Sequence, residues 1–148
     1  MTLAGALATL GPVGHLPRAP GTWGSAAMLP AAWLLQEPLL ILAAALAVAV
    51  LGTWAAGAHA RALGAGDPGS IVIDEAAGQL LALAACPPDP LWYAAALALF
   101  RLFDIWKPGP VGWCDRRLSG GWGIMADDLA AGGLAGLILL AAQAMLAA

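Results

Sequence analysis

At 148 residues the chain is the size of one domain, taken here as residues 1–148. Only 10% of it is charged against 61% hydrophobic, with a mean hydropathy of +0.83. Soluble domains carry about 25% charge, so the composition points to an integral membrane protein surrounded by membrane lipids. A net charge of −3 and the lack of a basic patch exclude nucleic acid as a partner.

Met1–Leu10 is mildly apolar and lacks the basic stretch of a cleavable signal, so insertion is expected to rest on internal spans. Gly11–Ser25, with three prolines and four glycines, reads as a loop. Apolar runs follow at Ala26–Leu35, Leu39–Ala58, Ala76–Cys86, Leu91–Trp106 and Leu129–Ala148. The second and last are about 20 residues long, enough for a full span. The first and third reach only ~17 Å as helices. Breakers separate the runs at Gln36-Glu37-Pro38, Gly64–Gly69 and Pro87–Pro90, and a Gly-, Trp- and Arg-rich loop is expected over Gly109–Met125. The expected fold is all-α: a polytopic membrane helical bundle of four to five helices, some short or partly inserted.

Arg18, Arg61, Lys107, Arg116 and Arg117 all fall on one set of connections, while the opposite set holds Glu37 and Asp89. The basic set is expected to face the cytoplasm. If the helices alternate, Asp74, Glu75, Asp104, Asp115, Asp127 and Asp128 lie on that face too. Acids do not follow the positive-inside rule, so their gathering is separate information. Burying a carboxylate costs several kcal/mol unless a cation or donors compensate it. So few Lys and Arg are present that a metal ion is the natural partner.

Asp74-Glu75 opens a helix, with Gly78 one turn on. Asp127-Asp128 is expected to open the last helix, with Gly132 and Gly136 at four-residue steps. Each doublet either complements the helix dipole or binds an ion, and each adjoining glycine suits close helix contact. Arg101, Asp104 and Lys107 recur at three-residue steps on the fourth run. They form either an intrahelical ion pair with a snorkelling lysine or a metal carboxylate between two phosphate-binding cations. Arg18–Ser25 offers an arginine and the Thr22 and Ser25 hydroxyls around an anion. Oxygen ligands without His or Cys partners favour Mg²⁺ over zinc, and nearby Arg and Lys suggest phosphate chemistry on a lipid.

Five pieces in order carry a family resemblance. They are Pro20-Gly21-Thr22-Trp23-Gly24-Ser25, Ser70–Glu75 with Gly78, and Phe100-Arg101 with Asp104 and Lys107-Pro108. Asp115-Arg116 and Gly120–Asp128 with Ala131-Gly132 complete the set. Together they resemble the phosphatidylglycerophosphatase A family. The resemblance implies a multi-pass, Mg²⁺-dependent phosphatase of the bacterial inner membrane, its active site facing the cytoplasm. Its substrate would be phosphatidylglycerophosphate, cleaved to phosphatidylglycerol and phosphate. It maps the family's acidic positions onto Asp74, Glu75, Asp104, Asp115, Asp127 and Asp128.

The expected mechanism has one or two Mg²⁺ ions held by a subset of those carboxylates, with a carboxylate taking the proton from the attacking water. Arg101, Lys107 and Arg18 bind phosphate oxygens, and Thr22, Ser25 and Ser70 donate hydrogen bonds. Asp115 either ligates metal or pairs with Arg116 or Arg117. A covalent aspartyl-phosphate route stays open. The rival readings are a Mg²⁺-binding transporter or channel subunit and a phosphatase of another lipid phosphate.

Overall fold

The computed structural model describes residues 2–148. Seven α-helices and one 3₁₀ turn are present among them, with no strand: α1 Leu3–Ala8, the turn Val13–His15, α2 Pro20–Leu35, α3 Pro38–Leu63, α4 Ile73–Leu83, α5 Pro90–Trp106, α6 Pro110–Arg117 and α7 Gly120–Leu146. The all-α class holds, but the expected count of four to five helices is too low. The two short helices, α1 and α6, account for the excess. The Thr2 hydroxyl accepts from the Gly5 N–H to cap α1, and Pro110 starts α6, where a missing N–H costs nothing.

Two expected boundaries move. The Gly11–Ser25 loop ends at Ala19, because Pro20 occupies the first position of α2 and its fixed φ suits a helix start. The Gly109–Met125 loop holds all of α6 and the first turn of α7, so Asp127-Asp128 does not open a helix. It lies about two turns inside α7, which removes helix capping as its explanation.

Helix direction follows from the contacts. A Cβ added at Gly57 of α3 would meet the Gly121 backbone, and one at Gly52 would meet the Met125 side chain. These two helices therefore run antiparallel. Gly132 of α7 faces Gly78 of α4, Gly136 faces Leu81 and Ala82 one turn on, and Gln143 donates at 2.7 Å to the carbonyl of Ala85, just past the end of α4, so these two run parallel. Trp33 near the end of α2 meets Tyr93 near the start of α5 edge-on, with centroids 5.7 Å apart. The starts of α2, α4 and α7 therefore share one end of the bundle with the ends of α3 and α5. At the other end Asp89 caps α5, accepting from Leu91 and Trp92.

Among the described residues only α3 and α7, at 26 and 27 residues, are long and apolar enough to cross a membrane. Just 33% and 28% of their most apolar windows are buried by the rest of the chain, unlike the core helix of a soluble protein. Leu46, Val50, Trp54, Leu137 and Leu140 are exposed along them, as lipid contact requires. The shorter α4 fills the interior, with Leu80, Ala82 and Leu83 buried in the core.

Candidate active site

Glycine contacts fix how α7 is turned toward its neighbours. A methyl in place of the Gly132 hydrogen would sit 2.2 Å from the Gly78 carbonyl oxygen, and one at Gly78 would sit 2.5 Å from the Asp128 carbonyl oxygen. The backbones of α4 and α7 thus touch, as small residues at helix crossings allow. Adjacent helical residues point about 100° apart. With α7 held this way, Asp127 and Asp128 serve different clusters.

Asp128 joins Asp74 and Glu75. One carboxylate oxygen from each lies within 4.8 Å of the others. Asp74 and Asp128 are buried, at 7% and 3% exposure. Asp74 Oδ1, Glu75 Oε2 and Asp128 Oδ1 are each buried without a hydrogen-bond partner. The nearby cation is Arg101, whose Nη1 stands 3.8 Å from Glu75 Oε1 and also pairs with Asp104. The start of α2 closes this side, where a methyl on Gly21 would come within 2.0 Å of Glu75 Oε1. Two buried carboxylates and one partly buried, each with an unused oxygen, and one shared arginine make a donor set of hard oxygens. That set fits a hard divalent cation such as Mg²⁺.

Asp127 turns instead to Lys107, whose ammonium donates to Asp127 Oδ2 at 2.8 Å and to Asp115 on α6. Lys107 closes α5 in a left-handed conformation, φ 53°, which swings its side chain back toward α7. Partial burial works to lower its pKa, but the hydrogen bonds and charges of Asp115 and Asp127 outweigh burial and hold it above the ordinary lysine value. The ammonium therefore stays charged across physiological pH. Beside this cluster lies a cavity of about 260 Å³ walled by Asp67, Asp115, Ser119, Gly120 and Asp127 among others.

The structure thus divides the six acidic residues singled out in the sequence. Asp74, Glu75 and Asp128 form one group, Asp104 pairs with Arg101, and Asp115 and Asp127 share Lys107. The Ser25 hydroxyl is buried and donates to the Gly21 carbonyl at 2.8 Å within α2. Thr22 is half-buried in the first turn of α2, Ser70 is half-buried just before α4, and Arg18 is exposed. Two neighbours of the site are not among the residues to which the sequence pointed. Asp67 reads as part of a turn, though that turn leads straight into Asp74. Gln79 is fully buried with both amide atoms unpartnered. Its place four residues after Glu75, on the same helix face, is the signal that marks it.

The family model described as Phosphatidylglycerophosphatase A matches residues 6–143. The chain belongs to the phosphatidylglycerophosphatase A family. It is similar to phosphatidylglycerophosphatase A of Escherichia coli (strain K12), at 41% identity over 130 residues, covering 85% of this chain and 75% of the relative. Against the Haemophilus influenzae protein of the same name the identity is 39% over 138 residues, covering 88% and 82%. A Bacteroides thetaiotaomicron protein, provisionally named a phosphatidylinositol-3-phosphatase, is 40% identical over 130 residues, covering 80% of each. No solved structure matches the chain.

Proposed function

We propose that the chain hydrolyses the terminal phosphomonoester of phosphatidylglycerophosphate, releasing phosphatidylglycerol and inorganic phosphate in phospholipid biosynthesis. The observation that carries this reading is the triad of Asp74, Glu75 and Asp128, each with a buried, unused oxygen, in a chain of this family. The triad would hold Mg²⁺, with Asp104, Asp115 and Asp127 as nearby carboxylates. When bound, the cation supplies charge neutralisation for the phosphomonoester and a more acidic water.

The chain's own residues do the rest. Arg101 keeps its Nε–H buried and unpartnered, a donor ready for a phosphate oxygen. Lys107, held charged by Asp115 and Asp127, offers a second cation at the same end. These two stabilise charge on the phosphoryl group, while Arg18, Thr22 and Ser70 line the approach; the Ser25 hydroxyl, fully buried and bonded to the Gly21 carbonyl, is spent inside α2 instead. A carboxylate of the cluster takes one proton from the attacking water. The new P–O bond forms as the bond to the glycerol oxygen breaks, and that oxygen takes back the proton the carboxylate accepted, which restores the carboxylate. The exposed apolar faces of α3 and α7 keep the chain in the bacterial inner membrane as a multi-pass protein. The site then opens at the basic, cytoplasmic end. The rival ion pathway is less well supported: Asp89 at the far end serves as a helix cap.

The test is phosphate release by the purified chain in detergent. Phosphatidylglycerophosphate is compared with phosphatidic acid, phosphatidylinositol 3-phosphate and soluble monoesters, each with Mg²⁺ or chelator. Preference for phosphatidylglycerophosphate with Mg²⁺ supports the reading. Metal-independent release, or full activity of both Asp74→Asn and Asp128→Asn, removes the mechanism.

A further inference from the structure

The end of the bundle that carries the site has two cavities of opposite character. One, of about 260 Å³, is walled by Asp67, Asp115 and Asp127. The other, of about 680 Å³, is lined by Leu16, Pro17, Arg18 and Trp23. Its walls are apolar apart from Arg18. Arg18 makes no ion pair among the described residues, whereas Arg101 and Lys107 are each bound to carboxylates of the chain. Arg61, Arg116 and Arg117 stand in the walls of neither cavity.

The backbone ties this second cavity to the acidic triad. Ala19, between Arg18 and the helix, is left-handed at φ 47°, a conformation unfavourable for a residue with a Cβ. Past that elbow, Gly21 lies against Glu75 and near Arg101, and Trp23 turns outward at 56% exposure. Three residues of chain therefore join the apolar cavity to the triad.

A substrate of the proposed class has features that match this arrangement. It carries two anionic groups: a terminal monoester, and a phosphodiester three glycerol carbons away that joins the headgroup to the acyl-bearing glycerol. The monoester needs the triad and its cations. The phosphodiester needs a separate cation, next to apolar wall for the lipid to which it is attached. The carboxylate-walled cavity would repel it. We infer that Arg18, with Leu16, Pro17 and Trp23, forms a subsite for the phosphodiester and adjoining glycerol backbone of an anionic phospholipid, distinct from the monoester site at the triad. The subsite rests on the proposed function and gives it a basis for preferring a two-phosphate lipid over phosphatidic acid, which has no phosphodiester.

The experiment separates the two anion sites by their inhibitors. Phosphatidylglycerol retains the phosphodiester and lacks the monoester, while inorganic phosphate mimics the monoester alone. In the full chain, Arg18→Gln should raise the inhibition constant of phosphatidylglycerol about 10- to 100-fold, the range expected for a lost charge-assisted hydrogen bond. The inhibition constant of inorganic phosphate should stay within about twofold, and kcat/KM for phosphatidylglycerophosphate should fall as the phosphatidylglycerol constant rises. Arg18→Lys should recover part of the loss. An equal rise for both inhibitors would assign Arg18 to the monoester site, and no rise for phosphatidylglycerol would remove the subsite. Binding of phosphatidylglycerol against diacylglycerol, which lacks the phosphodiester, measured by native mass spectrometry on wild type and Arg18→Gln, tests the same subsite without turnover. If wild type hydrolyses no phosphatidylglycerophosphate, the parent reading fails, and the binding comparison still decides the subsite.

Discussion

Asp127 and Asp128 are neighbours on one helix, yet their electrostatic surroundings differ. Asp127 has a lysine at 2.8 Å that it shares with Asp115. Asp128 faces two further carboxylates and keeps one oxygen buried and unpartnered. A carboxylate neutralised by its own chain has its charge committed to structure. One left unneutralised beside like charges is strained as it stands, and that strain is relieved by whatever cation the site takes up. On the proposed function, the contrast separates acids that hold the structure from acids that would hold a metal, a division that sequence spacing does not draw.

The most severe way to break the comparison is to neutralise the strained member. Asp128→Asn should cut phosphate release about 10³-fold. In chelator it should make the protein more stable, by about 1–3 kcal/mol, because a buried like charge is gone. Mg²⁺ should raise the melting temperature of the wild type, since ligand binding to the folded state adds stability, and should raise it much less in Asp128→Asn. Thermal unfolding in detergent with and without Mg²⁺ reads all of this. A destabilised Asp128→Asn in chelator would contradict the idea that the triad is under strain.

Next in size is the contact that holds the two aspartates apart. Gly132→Ala places a methyl 2.2 Å from the Gly78 carbonyl oxygen. Backbone cannot yield as a flexible side chain can, so α7 must shift, at a cost of about 3 kcal/mol. Gly133→Ala, one residue on, meets nothing closer than 4.0 Å and should be neutral or slightly stabilising through helix propensity. Equal melting temperatures for the two variants would show that the crossing does not set the orientation of α7.

Lys107→Met tests the paired side. Asp127, at 8% exposure, would lose the cation that compensates its burial. Stability should drop by about 2 kcal/mol, less than for a fully buried pair because the lysine side chain is 31% exposed. Adding Asp127→Asn should return part of that loss, since the stranded charge is then removed. A double-mutant cycle in chemical denaturant measures the coupling. Additive losses would mean that the two side chains do not depend on one another.

The all-helical class, the helix opening at Asp74-Glu75 and the gathering of charged residues at one end were legible in the sequence. Each follows from local apolar runs and their breakers. The start of α7 was not, because Gly120-Gly121-Trp122-Gly123 is poor helix sequence by propensity. It is helical because Gly121 must lie against the Thr53 carbonyl and Gly57, a tertiary demand that local rules do not carry. The same misplacement hid the division of the second doublet. At a helix start both carboxylates would be free to converge, whereas two turns inside they are committed to different faces. Likewise Pro20 suggested a loop because its helix-start role depends on the elbow at Ala19, which sequence alone did not reveal.

The smallest expected effect lies at the exposed edge of the paired cluster. Asp115 shares Lys107 with Asp127, but its side chain is 41% exposed, and water and salt already screen it. Asp115→Asn should cost at most about 1 kcal/mol, because Asp127 remains to hold the lysine. That small loss should shrink further in high salt, where an exposed pair is screened and a buried one is not. The sequence left Asp115 as a metal ligand or the ion-pair partner of Arg116 or Arg117; its partner is Lys107 instead, and the activity of the variant separates ligation from pairing. If Asp115 serves only to hold Lys107, its loss moves stability and turnover slightly and leaves the Mg²⁺ concentration for half-maximal activity where it was. A rise of about tenfold in that concentration, the scale of a lost metal contact, would instead make Asp115 a metal ligand. The line between neutralised and unneutralised carboxylates would then have to be drawn through α6 rather than between Asp127 and Asp128.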